Sequence, residues 1–248
     1  DLYGLEWFKI KICGDPEHDR PRLKAIANVV MPRVGNDARF TLDGNEQCLD
    51  MPAVAGMLRD LQSDDVAGAL VERIALIEQP LPRALTFDKD ANQALSALSA
   101  IAPVIIDEAD AAIGSFREAI GLGYAGVSIK ACKGVFRALA NRALLDLRDD
   151  ARLLQSGEDL TNLGSIALQQ DLALQVALGV KHVERNGHHY FRGLPHLNHE
   201  ACAFLIRKVS DVWVPLEETA TLNIHEGKLS VSNFTQQPGF GGVYASIE

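Results

Sequence analysis

One pattern limits the folds open to this chain more than any other. Short runs rich in Val, Ile, Leu or Phe recur along it, and stretches with helical spacing lie between them. The runs are LEWFKIKIC (5–13), ARFTLD (38–43), RIALIE (73–78), APVIID (102–107), AGVSIK (125–130), ARLLQS (151–156) and VKHVE (180–184). Strands buried on both faces of a parallel sheet read as near-continuous apolar runs of this kind. Apolar residues recur at helical spacing over 21–31, 51–61, 92–101, 115–123, 134–147 and 162–179. Gly123, Gly126 and Gly179 fall just before strands, where a helix stop is expected. Such βαβα alternation implies a parallel sheet with right-handed crossovers.

The strand-ending residues fall at 11, 43, 78, 107, 130, 156 and 184, so successive ends are 23 to 35 residues apart. One β/α unit fits each interval. The predicted fold is a (β/α) barrel of the TIM type with seven visible strands. A closed barrel has eight, and the missing strand is expected to precede Asp1. The rival is an open doubly wound sheet, but ICGD after the first run lacks the GxGxxG phosphate loop. Because the chain starts at Asp1 and not at Met, it is expected to be a fragment, a processed form or the ordered part of a longer polypeptide. After about residue 210 no helical run is read, and TLNIHEGKLSV predicts a hairpin turning at Glu226 and Gly227. The domain reading is therefore a barrel over 1–210 and a carboxyl-terminal segment over 211–248.

Composition excludes several classes. The 248 residues are 47% hydrophobic and 23% charged, with a net charge of -9. An acidic balance argues against a general nucleic-acid binder. The longest apolar runs fall far short of the roughly 20 residues that span a bilayer. No secretory signal opens the chain, and the four cysteines form no CxxC pattern or disulfide framework. A cytoplasmic protein with reduced thiols is expected. The expected partners are a small carboxylate substrate and further copies of the chain, with no nucleic acid and no membrane.

What ends each strand carries the chemistry. The first run ends in Lys9-Ile10-Lys11, the next at Asp43, then Glu78, Asp107-Glu108 and Lys130. In a parallel barrel the carboxyl ends of all strands open onto one face, where the site forms. Three acids from consecutive strands would converge there, with lysines flanking them. Carboxylate oxygens suit a hard cation, chiefly Mg²⁺ with Mn²⁺ as the alternative. Without a cation, three close carboxylates would repel one another. Two lysines on opposite sides of a metal-held substrate could serve as acid and base. Only one of the adjacent Asp107 and Glu108 can point inward, so Glu108 is the alternative ligand. Any one of these residues has a plainer explanation, since Asp and Glu often cap the following helix. Five successive strands ending in Lys, Asp, Glu, Asp, Lys do not.

In that order the chain resembles the enolase superfamily, in particular the muconate lactonizing enzyme-like branch of the mandelate racemase/muconate lactonizing enzyme family. FKIKICGD resembles its Lys-x-Lys strand, FTLDGN its Asp-x-Asn strand, IEQPL its Glu-Gln-Pro strand, IIDEAD its Asp-Glu strand and VSIKACKG the strand with its second lysine. The resemblance implies that Asp43, Glu78 and Asp107 hold Mg²⁺. Lys11 and Lys130 would be the acid/base pair facing each other across the metal. Lys9 would be a like-charged neighbour of Lys11, and Asn45 would orient the metal shell. Glu184, at the end of the last strand, would contact substrate. It also implies an amino-terminal α+β capping domain and a first barrel strand outside this chain, with 211–248 returning to that domain.

The implied activity is removal of the proton α to a carboxylate, with racemisation, epimerisation, cycloisomerisation or dehydration to follow. The enzyme would be an isomerase or a lyase acting on a sugar acid or other small carboxylate. HVERNGHHYF stands where dipeptide epimerases carry Asp-x-Asp, and LLQSGEDL lacks the His of the mandelate racemase branch. The competing reading is a catalytically silent barrel acting as a binding or assembly module.

Other residues receive plainer readings. His188 and His189, adjacent on an extended segment, point to opposite sides and are assigned to a loop role or to one buried, hydrogen-bonded imidazole, not to a shared metal ion. Glu158 and Asp159 are read as helix caps, and Cys13 and Cys132 as packing residues. QQPGFGG lacks the Lys-Ser/Thr of a phosphate loop.

Overall fold

The computed structural model describes residues 2–158, 164–185 and 193–232. The readings of His188-His189, of Asp159 and of QQPGFGG lie outside these residues. Strands β1 (Trp7–Lys11), β2 (Arg39–Asp43), β3 (Ile74–Glu78), β4 (Val104–Ile106), β5 (Gly126–Ile129), β6 (Leu154–Glu158) and β7 (Val183–Glu184) form one sheet in chain order. Every pair with a described register is parallel: β1–β2, β2–β3, β3–β4, β4–β5 and β6–β7. Helices stand between the strands. This is the predicted (β/α) barrel, present with seven strands. Each strand falls inside or within two residues of its predicted run.

The chain divides into two compact units. The first comprises Leu5–Ser128 and Leu139–Gln155. Here α1 (Pro16–Val34), α2 (Met51–Leu61), α3 (Ala67–Val71), α4 (Leu95–Ser99) and α5 (Ser115–Leu122) cover β1 to β4. Leu23, Phe40, Leu42, Leu58, Ile77 and Phe116 are among the fully buried side chains of its core. Phe40 stacks on Phe8 with ring centroids 5.8 Å apart, so the first two strands are locked by an aromatic pair as well as by their backbone bonds. Gly126 opens β5 where a Cβ would meet the Leu154 carbonyl oxygen at 2.5 Å and Ile105 Cγ2 at 2.7 Å. Only a glycine lets those backbones approach so closely.

The second unit comprises Leu2–Gly4, Ile129–Ala138 and Ser156–Glu248. Helix α6 (Val135–Arg148) begins in it. Here α7 (Ser165–Ala177), α8 (His199–Lys208) and the hairpin β8 (Trp213–Leu216)–β9 (Thr219–Leu222) close a core around Leu168, Leu172, Leu205 and Trp213. The expected hairpin at Glu226-Gly227 is present as β10 (Ile224–His225) and β11 (Lys228–Leu229). No helix among the described residues is long and apolar enough to cross a membrane.

Several elements differ from the sequence reading. Helix α1 starts at Pro16 instead of 21 and runs through Pro21 and Pro32. Asp15 caps it by accepting from the Glu17 N–H at 3.0 Å, and Pro16 occupies the first turn, where its missing N–H has no intrahelical partner to lose. The run expected as a helix over 92–101 is a 3₁₀ turn (Ala91–Ala94) leading into the short α4. Helices α3 and α8 and the β8–β9 hairpin were not anticipated. Helix α8 is set by its ends: the Asn198 side chain accepts from Ala201 N–H at 2.8 Å, Glu200 sits in the first turn, and Arg207 and Lys208 in the last. Those charges complement the helix dipole.

Candidate active site

Register places the charged residues of the first unit in one row. Lys11 pairs with Asp43 and Asp43 with Glu78, while Glu78 pairs with Ile105, two residues before Asp107. Side chains two apart on a strand share a face, so Lys9 lies one step below Lys11. From there Lys9 Nζ reaches Asp43 Oδ2 and Glu78 Oε2, each at 2.9 Å. Lys11 Nζ meets the same Asp43 Oδ2 at 2.5 Å. The two lysines differ in access: the Lys9 side chain is 10% exposed and that of Lys11 51%. Asp43, Glu78 and Asp107 are all buried. Burial pushes the Asp43 carboxyl upward, but the Lys9 and Lys11 ammoniums outweigh it and hold the group below the usual carboxylate range.

The loops above these strands hold the acids in place. Gly44 N–H donates to Glu78 O at 2.9 Å, and Glu46 N–H to Gln79 O at 3.0 Å. A Cβ on Gly44 would stand 2.9 Å from Pro80 Cα, so a glycine is needed for this strap. Asn45 N–H donates to Asp43 Oδ1 at 2.9 Å, and its side-chain amide to Glu108 Oε1 at 3.1 Å. Asn45 thus touches two acids.

Sequence reasoning missed Gln79, the middle residue of Glu-Gln-Pro. It is fully buried. Its Oε1 accepts from Asp107 N–H at 2.8 Å and Ala109 N–H at 3.2 Å. Its Nε2 donates to Leu81 O at 2.6 Å and Thr86 Oγ1 at 2.9 Å. Gln79 therefore fixes the backbone that presents Asp107. The motif itself was the available signal.

The donor set suits a hard cation. Carboxylate oxygens of Glu78 and Asp107 lie within 4.8 Å of one another. Burial, then the charges of Asp107 and Asp43, push the Glu108 carboxyl upward. Among the described residues, Glu108 Oε2 is buried without a hydrogen-bond partner. Negative charge gathered this densely and out of water is stabilised by a divalent ion.

In the second unit, Lys130 follows β5 and its Nζ lies 3.1 Å from Glu158 Oε1, with both side chains largely buried. Glu158 is the last residue of β6 and sits in register with Glu184 on β7. This corrects its reading as a helix cap: the strand extends two residues past the expected end, which turns Glu158 into the partner of a candidate catalytic lysine. His182 is paired with Ser156 through Nε2 and Oγ at 3.0 Å, and burial lowers its imidazole pKa.

No protein-family model matches the chain, and no curated protein sequence does. Solved structures do match. A dipeptide epimerase from Enterococcus faecalis V583, solved with Mg and the dipeptide L-Leu-L-Tyr, is 20% identical over 78% of this chain and 50% of its own, with a TM-score of 0.60. The N-succinyl Arg/Lys racemase from Bacillus cereus ATCC 14579 is 23% identical over 77% and 48%, with a TM-score of 0.57. Muconate lactonizing enzyme from Pseudomonas putida is 21% identical over 73% and 46%, with a TM-score of 0.53. The chain spans about half the length of the structures it matches. Its fold is the barrel fold of mandelate racemase/muconate lactonizing enzyme-like proteins, in agreement with the resemblance carried by the strand-end motifs.

Proposed function

We propose that this chain is the barrel of a metal-dependent enzyme that removes the proton α to a carboxylate. The observation that carries the reading is the row of buried Asp43 and Glu78 bridged by Lys9, with Asp107 beside them and Lys11 at the solvent edge. Asp43, Glu78 and Asp107 would hold Mg²⁺, or Mn²⁺ in its place. When bound, the ion would stabilise the charge that develops on the substrate carboxylate as the proton leaves.

The two neighbouring lysines take different roles. Lys9 is fixed between two carboxylates and offsets part of their charge. Lys11 is half-exposed and can reach a substrate, so its Nζ is the proposed acid/base that takes or returns the α proton. Lys130 is the proposed second acid/base, positioned by Glu158. Asn45 orients Asp43 and Glu108, and Glu184 is the proposed substrate contact.

The substrate class is a sugar acid or other small carboxylate. The outcome is racemisation or epimerisation, cycloisomerisation or dehydration. A dipeptide is the less favoured substrate, because HVERNGHHYF supplies no Asp-x-Asp for an ammonium group.

The test is α-proton exchange in deuterated water with Mg²⁺, over acid sugars and dipeptides, using the full-length protein. Wild type should exchange the α proton of at least one substrate. Lys11→Ala and Lys130→Ala should each lose about 10²–10⁴ in exchange of one enantiomer. Wild-type exchange in both variants, or none in wild type with any substrate, would overturn the reading. The second result would favour the silent binding module.

A further inference from the structure

The turn that links β1 to α1 gathers donors of a different kind from the strand-end acids. Cys13 Sγ lies 3.5 Å from His18 Nδ1 and 3.5 Å from Asp19 Oδ1. His18 Nδ1 lies 3.5 Å from the same Asp19 oxygen. The three atoms form an equilateral triangle. Donor atoms around a tetrahedral Zn²⁺, with bonds of about 2.0–2.3 Å, stand roughly 3.3–3.7 Å apart. An N–H···O hydrogen bond is shorter, about 2.7–3.2 Å. The His18–Asp19 separation is therefore long for a hydrogen bond and right for two ligands of one ion.

The fold prepares this arrangement. Asp19 is fully buried although it bears a carboxylate. Its Oδ2 accepts from the backbone N–H groups of Cys13 at 3.0 Å and Gly14 at 2.8 Å. Its Oδ1 takes a longer 3.2 Å contact from Cys13 N–H and faces Sγ and Nδ1. Backbone amides thus hold the carboxylate in one orientation, as outer partners do for metal ligands. Cys13 is half-buried and His18 exposed, so an ion can arrive from solvent.

We propose that Cys13, His18 and Asp19 form a three-ligand site for a borderline-soft divalent cation, Zn²⁺ foremost, with a fourth position for water or another ligand. Thiolate and imidazole donors discriminate against Mg²⁺, which takes oxygen. The chain would thereby sort two cations by donor chemistry, the hard one on the strand-end carboxylates and the softer one at this turn. Zinc binding displaces the thiol proton and ties the end of β1 to the first turns of α1.

Co²⁺ is the probe, because a cobalt–thiolate bond produces a near-ultraviolet charge-transfer band that oxygen-bound cobalt lacks. The protein is titrated with Co²⁺ in excess Mg²⁺, which occupies all-oxygen sites. The band should saturate at one Co²⁺ per chain and be displaced by Zn²⁺. Cys132→Ser, at an exposed cysteine, should leave it unchanged. Cys13→Ser should abolish it. His18→Ala, at an exposed position, should weaken Co²⁺ affinity roughly 10- to 100-fold or more. No band in wild type would mean a hydrogen-bonded trio only and would overturn the proposal. So would a band unchanged in Cys13→Ser, or an affinity unchanged in His18→Ala.

Discussion

Lys9 and Lys11 are two residues apart on one face of β1, yet burial gives them different parts. Lys9 supplies a cation to two carboxylates that have left water. Breaking such a buried pair costs about 3–5 kcal/mol, because charge is left uncompensated. Lys9→Met should therefore lower stability by about that amount in denaturant unfolding at neutral pH without divalent ions. The pH dependence follows from Asp43, whose folded pKa lies below its ordinary 3.8. Its contribution is fully present above 3.8 and is lost as pH falls through the lower folded value. The destabilisation by Lys9→Met should accordingly shrink when unfolding is measured in strong acid. Cys48 offers a second check. Burial, then the negative charges of Asp19, Cys13 and Asp43, raise its thiol pKa to about 12. The thiolate is the reactive form, so at mildly alkaline pH a thiol reagent should label exposed Cys132 quickly and Cys48 only after unfolding. Mass spectrometry of the labelled protein reads both. The acids and lysines of the row were legible in the sequence because each lies at or near the carboxyl end of a strand. The Lys130–Glu158 pair and the Cys13–His18–Asp19 triangle were not, because side-chain direction and loop path bring them together and spacing along the chain records neither; Gln79 was visible in the Glu-Gln-Pro motif, but the groups it holds were not.

Strands were the most legible elements, since those buried on both faces, such as β3 and β5, read as near-continuous apolar runs. Helices were less so. Pro21 looked like a boundary, yet α1 continues through it with Leu23 and Ala27 buried on its inner face. The short α3 has no periodicity to detect over five residues. Its start is fixed instead by Asp64, which accepts from Ala67 N–H at 2.9 Å and Val66 N–H at 3.1 Å and pairs with Lys24 at 2.9 Å. The backbone bond from Ala67, then the Lys24 ammonium, bring the Asp64 pKa down to about 2. Its capping contribution is present above pH 3.8 and lost as pH falls through about 2. A carboxyl titration followed by NMR should place the Asp64 midpoint near 2. Asp64→Asn should flatten the acid limb of the stability curve over that interval while leaving the strand-end acids untouched.

Each compact unit has its own core, one around β1 to β4 and one around α7, α8 and the β8–β9 hairpin. The alternation of runs along the whole sequence made the barrel fold readable. The division into units was not, since it follows where contacts are dense and not where composition changes. We propose that the chain folds so as to bring carboxylates from three strands to one hard cation. Isothermal titration with Mg²⁺ tests it most directly, on wild type and on Glu78→Gln and Asp107→Asn. These two variants remove charge with little change of shape. One Mg²⁺ per chain in wild type, with affinity at least 10-fold weaker in each variant (roughly the loss expected when a metal shell is disturbed), is the predicted result. Binding of equal strength in all three proteins, or none in wild type, would contradict it.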